Sequence, residues 1–116
     1  MTTSDVPAVE LGDVIASRSY DDRGGVPLSI EIGRPVPHES HGWKCPWRIT
    51  GLQRGPEPFD GWVYGSDTVD CLTYALWIVE SILSDPRNDP PVTLGGQADL
   101  YLPRRPESAD PAGGDS

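Results

Sequence analysis

Apolar residues recur along this chain at two different spacings. Val26, Leu28, Ile30 and Ile32 alternate with Ser29 and Glu31, and a period of two predicts a half-buried strand of an antiparallel pair. Val14 to Tyr20, of mixed polarity, precedes it as a first strand. Between them Asp21-Asp22-Arg23-Gly24-Gly25 is a turn signal, because adjacent glycines accept positive φ. Pro27 points away from the apolar set and belongs near the strand's start or on an edge. Trp43 to Thr50 alternates again: Trp43, Cys45, Trp47 and Ile49 share one face, Lys44, Pro46, Arg48 and Thr50 the other. Pro46 removes a ladder donor, which predicts an edge or a bulge there. Gly33 to Gly42 and Gly51 to Gly61 read as loops, and Trp62-Val63-Tyr64 as a short strand.

The spacing then changes. Val69, Leu72, Leu76, Val79 and Leu83 repeat at three and four residues, and Cys71, Ala75, Ile78 and Ile82 widen the stripe. Such a stripe predicts a helix lying flat on a sheet, with Thr73, Glu80 and Ser81 outward. Ser66 or Asp67 caps it, Asp67 and Asp70 suit its positive end, and Asp85-Pro86 stops it. Val92 to Leu94 and Ala98 to Leu102 are two further candidate strands around Gly95-Gly96. The expected fold class is α+β, a small antiparallel sheet of about four to six short strands with one long helix on one face. Residues 1–9 read as a flexible leader, 10–103 as a single domain and 104–116, which lack large apolar residues, as a disordered tail. Trp43, Trp47 and Trp77 follow the local period and are expected in the core. Trp62 follows Phe59-Asp60-Gly61 in a glycine-rich stretch and is a candidate contact residue. The second sheet face stays solvated unless a partner covers it, so a homodimer through that face or through an edge is open to the chain.

Three segments resemble a bacterial family, common in actinobacteria, that is known as a domain of unknown function. They are Ile32-Gly33-Arg34-Pro35, then Trp43-Lys44-Cys45-Pro46-Trp47-Arg48-Ile49, then Gly65-Ser66-Asp67-Thr68-Val69 leading to Ala75-Leu76. The family pattern is similar to I-G-R-P, W-[RK]-C-P-[YW]-R-I and G-x-D-S-V-x-A-L-x-x-A-L. Here Thr68 stands for the serine and Cys71 for an alanine. The resemblance covers about two thirds of the chain, omits the C-terminal tail, and implies fold boundaries but no activity.

Charge narrows the partners. The 116 residues carry 18 acids against nine bases, a net charge of −9. Nucleic-acid binding needs cations to displace counterions, and anionic membranes attract basic segments, so neither partner is expected. A basic protein partner suits the charge. No apolar run reaches the ~20 residues of a membrane span, and Met1 to Val9 lacks the basic and apolar regions of a secretory signal. A cytoplasmic location follows, where Cys45 and Cys71 are expected as free thiols.

The chemistry is sparse. His38-x-x-His41-x-x-x-Cys45 has metal-like spacing, and Cys71 would be a fourth ligand if the helix start lay beside the third strand. Cys45, however, already fits the apolar stripe as core filling, so no metal is expected. A nucleophilic cysteine paired with a loop histidine would need a lowered thiol pKa. No carboxylate pair, P-loop, G-x-S-x-G or dinucleotide fingerprint occurs, so no catalytic residue and no cofactor is assigned. Arg34 and Arg48 suit either a rim salt bridge or an anion contact. Asp67 joins them and Trp62 as candidate binding residues. The leading expectation is a non-enzymatic protein-interaction module, such as an immunity- or antitoxin-like inhibitor. The alternative is a small-molecule or metal-binding protein with minor enzymatic activity, using Cys45, His38, His41 and Arg48.

Overall fold

A computed structural model describes residues 9–40, 42–54 and 59–106. Val14–Arg23 (β1) and Val26–Gly33 (β2) form the expected hairpin. Gly24 and Gly25 turn it at φ +60° and +85°, the left-handed pair that matches strand twist across a two-residue turn. Gly42–Thr50 (β4) and Phe59–Gly65 (β5) pair antiparallel without a break from Trp43↔Gly65 to Ile49↔Phe59. On its other side β4 pairs β2 through residues 47–50 and a three-residue strand, Val36–His38 (β3), through 42–44. β2 and β3 thus follow each other along one edge of β4. The result is a five-stranded antiparallel sheet with one helix, Thr68–Leu83 (α1), packed on it.

Several expectations are corrected. The stretch from Gly33 to Gly42 is not all loop, since it contains β3. Pro46 lies in the central strand, not an edge, and is fully buried. It stands where the ladder passes from β2 to β3, where a missing N–H costs least. β5 begins at Phe59, inside the stretch expected as loop, and Trp62 lies in it half-buried. Residues 92–102 form no strand, only a Leu94↔Gln97 bridge around Gly95-Gly96. Trp47 is buried, but Trp43 and Trp77 are half-buried.

The helix is also rotated from its expected setting. Its buried line is Cys71, Ala75, Val79 and Leu83, at steps of four, while Val69 is 68% exposed and Leu72 and Leu76 flank the contact. Glu80, expected outward, is only 9% exposed. The cause is the chain from Leu100 to Arg105, which runs from β1 to the back of the helix. Tyr20 Oη donates to the Leu100 carbonyl at 3.0 Å, and Arg104 Nε lies 3.5 Å from the Glu80 carboxylate. The helix ends are closed by side chains. Asp67 accepts from the Asp70 amide at 2.7 Å. Buried Asn88 donates to the carbonyls of Ile82 and Leu83 at 2.9 and 2.8 Å, satisfying groups that a helix C-terminus leaves unpaired.

On the opposite face, residues 9–13 cross the sheet. Asp60 Oδ2 accepts from the Val9 amide at 3.0 Å, Arg48 Nη2 donates to the Val9 carbonyl, and the Arg34 amide donates to the Asp13 carbonyl at 2.9 Å. Gly33 admits this segment, because a Cβ there would stand 2.2 Å from the Leu11 carbonyl oxygen. Residues 1–8 of the expected leader and 107–116 of the expected tail lie outside the described residues.

Leu83→Ala should lower stability by roughly 2–5 kcal/mol, the cost of a buried leucine and its cavity. Val69→Ala should stay within about 0.5 kcal/mol. Asp67→Ala should cost about 1 kcal/mol, and Asp67→Asn much less, since asparagine also caps. Urea melts of the four variants check all three statements, and equal losses for Leu83→Ala and Val69→Ala would contradict the observed helix setting.

Candidate functional site

The residues singled out by sequence do not converge on one site. Arg34 and Trp62 come together on the face away from the helix, around a hollow of about 320 Å³. Lys44 Nζ lies 4.2 Å from the Trp62 ring centroid, with Pro46 and Leu11 beside it. The Arg34 guanidinium is 3.8 Å from the Asp13 carboxylate, both side chains largely exposed. Arg48 is on the same face but is held within the fold: its Nε lies 3.4 Å from Asp60 Oδ2 while Nη2 binds the Val9 carbonyl. Together Arg48 and Asp60 grip both backbone groups of Val9 as a neighbouring strand would. Asp67 stands apart, as the helix cap.

The described members of the metal-like set, His38, Cys45 and Cys71, are not grouped either. His41 lies outside the described residues. His38 is on β3 with its ring 5.1 Å from that of Tyr64. Among the described residues no three His, Cys, Asp or Glu side chains are grouped as metal ligands would be. Cys45 and Cys71 are free and buried, and the Cys45 thiol donates to the Gly33 carbonyl at 3.3 Å. Burial pushes the Cys45 thiol up to about 11, and neighbouring Cys71 adds to the rise. Burial likewise raises Cys71. A nucleophilic cysteine needs the opposite shift, so these thiols behave as core residues.

The larger concavity is elsewhere. A groove of about 800 Å³ runs between β5, the outer flank of α1 and residues 104–105. Tyr74, Trp77, Ile78 and Ser81 line the helix side, spaced three and four apart on one helical face. The rings of Tyr74 and Trp77 are 5.5 Å apart at a 50° tilt. Val63 and Tyr64 form the strand side, and Glu80, Arg104 and Arg105 the charged end. The Arg105 guanidinium stands 6.0 Å from the Trp77 ring centroid. Sequence reasoning missed this site. The sequence pattern puts Ile78 in the buried stripe, Trp77 in the core and Ser81 outward, and gives Tyr74 no role. Arg104 and Arg105 had no local signal, because what places them is Leu100 and Leu102 packing on the core.

The groove offers apolar and aromatic contact with two guanidinium groups at one end. Among the described residues, no helix is long and apolar enough to cross a membrane. A family model described as a domain of unknown function (DUF6968) matches residues 16–94, more than half of the chain, and the chain belongs to this family. The matched span includes the strands and helix that wall the groove and stops short of Arg104 and Arg105. No curated protein and no solved structure matches the chain.

Cys45 ties thiol chemistry to stability. The folded chain keeps the thiol protonated, whereas the unfolded chain releases the proton near the ordinary value. Stability that is whole below about pH 8.5 should therefore fall as pH rises toward 11. Urea midpoints between pH 8 and 11 should show this slope, and Cys45→Ala should remove part of it. An unchanged slope in the variant would contradict the assignment.

Proposed function

We propose that this family member is a non-enzymatic protein-interaction module of the cytoplasm, of the kind to which immunity and antitoxin-like inhibitors belong. The observation that carries the reading is the groove between β5 and α1. Tyr74 and Trp77 supply large, rigid contact area, and aromatic side chains with arginine dominate binding energy at protein interfaces. Tyr64 and Tyr74 remain 43% and 39% exposed. The net charge of −9 adds a long-range field that steers encounters.

The groove volume also suits a small molecule, since ligand pockets span ~300–1,000 Å³. That second reading no longer rests on Cys45, whose thiol is buried and protonated, but on the aromatic lining alone.

Affinity capture from native cell extract, with wild type compared with a Tyr74→Ala/Trp77→Ala variant, separates the readings. The expected result is a protein held by wild type and lost from the variant. A protein held equally by both removes the groove from the proposal. A small molecule that co-purifies with wild type in native mass spectrometry, with no protein, replaces the module reading with the second one.

A further inference from the structure

The two edges of the sheet are finished differently. β1 carries register shifts between Val14 and Ala16 and between Tyr20 and Arg23. It bears Arg18, Asp21 and Asp22, and its Asp21 amide donates to the Thr93 carbonyl at 3.1 Å. Bulges, charges and a covering loop are the devices that keep foreign strands off an edge. Among the described residues β5 has neither a register shift nor a covering strand. Its seven residues contain no proline or lysine, its register with β4 is unbroken, and its one carboxylate, Asp60, is taken up by Arg48 and Val9. Among the described residues, no strand or loop backbone bonds to its outer side.

The groove lies beside Val63 and Tyr64 of that edge, and its charge is opposite to that of the molecule. Of 18 acids only Glu80 lines it among the described residues, already faced by Arg104; of nine bases, Arg104 and Arg105 both do. Arg104 is 78% exposed, and no described carboxylate pairs with Arg105. A second copy of this chain is a poor occupant. A two-fold contact brings the same patch against itself, which would set arginines against arginines while joining two molecules of net charge −9.

Resting on the module reading above, we propose that β5 accepts an extended acidic segment of a partner protein as an added strand. Main-chain bonds to β5 give such a strand its affinity, and alternate side chains give it specificity. Apolar residues two apart fall against Tyr74, Trp77 and Ile78. A carboxylate at the end of the segment meets Arg104 and Arg105, in the bidentate geometry that guanidinium favours.

The test is selection of phage-displayed random twelve-residue peptides on the full chain, followed by fluorescence polarisation with the selected peptides. The expected peptides carry Asp or Glu with apolar residues at alternate positions. Arg105→Glu should weaken them about tenfold or more, the scale of one lost charge-assisted contact. N-methylation of alternate peptide amides should abolish binding, and hydrogen exchange should slow in β5. Arg105 is exposed, so this variant keeps the test informative should Trp77→Ala fail to fold. Peptides that tolerate N-methylation but are lost on Trp77→Ala overturn strand addition and leave the module reading standing. Basic peptides overturn the charge assignment. An empty selection, or peptides indifferent to both Trp77→Ala and Arg105→Glu, overturns both readings. A concentration-dependent dimer that protects β5 in ultracentrifugation and exchange overturns the proposal in favour of a second copy.

Discussion

One helix cannot cover this sheet, and most of the structure follows from that shortage. Adjacent strands lie ~4.8 Å apart, so a sheet four strands across presents a face wider than a helix of ~10 Å diameter. α1 sits over β4 and β5. The apolar face of β1 and β2, with Tyr20, Leu28 and Ile30, needs another cover. Residues 92–102 supply it through Val92, Leu94, Leu100 and Leu102, without forming a ladder. Three consecutive-region side chains of β1 hold this cover in place. Arg18 donates to the carbonyls of Leu100 and Tyr101, Tyr20 donates to Leu100, and Asp21 accepts from Thr93 Oγ1 and the amides of Gly95 and Gly96. Those three bonds, led by Thr93, hold the Asp21 carboxyl below its ordinary value, so the clamp is made by the charged form. Since the group is solvent-exposed, the clamp acts chiefly as a locator of the loop.

Much of this was legible where the physics is local. The alternation of β2 and β4, the Gly24-Gly25 turn and the Asp67 cap each rest on residues a few positions apart, and each is found. The five-stranded α+β arrangement follows from them. β3 was hidden because three residues between prolines and histidines show no period. Pro46 suggested an edge because its central position depends on β2 and β3 dividing one side of β4. The apolar run at 92–102 suggested strands, since sequence shows that a segment is buried but not whether a neighbour with a free edge is in reach. Arg23 illustrates the same limit: it reads as a turn residue, yet it is 7% exposed and its Nε donates to the Leu52 carbonyl at 3.1 Å.

The candidate binding residues divide along the same line. Asp67 was found as a cap, and as a cap it is used. Arg48 was read correctly as facing away from the helix, but its partner Asp60 lies in a stretch taken for loop, and Val9 in one taken for leader. Arg34 and Trp62 meet only because β3 and β5 flank β4. The groove needed three separate elements and could not be read from any one of them.

The groove is the counterpart of the cover over β1 and β2. A helix centred over β4 and β5 turns one flank inward, toward Leu100 and Leu102, and leaves the other outside their cover. On the inward flank the chain brings leucines, and apolar surface is closed against apolar surface. On the outward flank it arrives with Arg104 and Arg105. Arg104 neutralises Glu80, which would otherwise be a nearly buried, uncompensated charge. Arg105 lies over Trp77 as a cation over an aromatic face, a contact of ~0.5–1 kcal/mol when exposed. Neither contact closes over Tyr74 or Tyr64, which stay exposed. An unfinished core would be expected to close there by burying apolar side chains. Ending the apolar coverage in guanidinium groups instead gives this surface a charge unlike the rest of the molecule, the property on which the proposed contact depends.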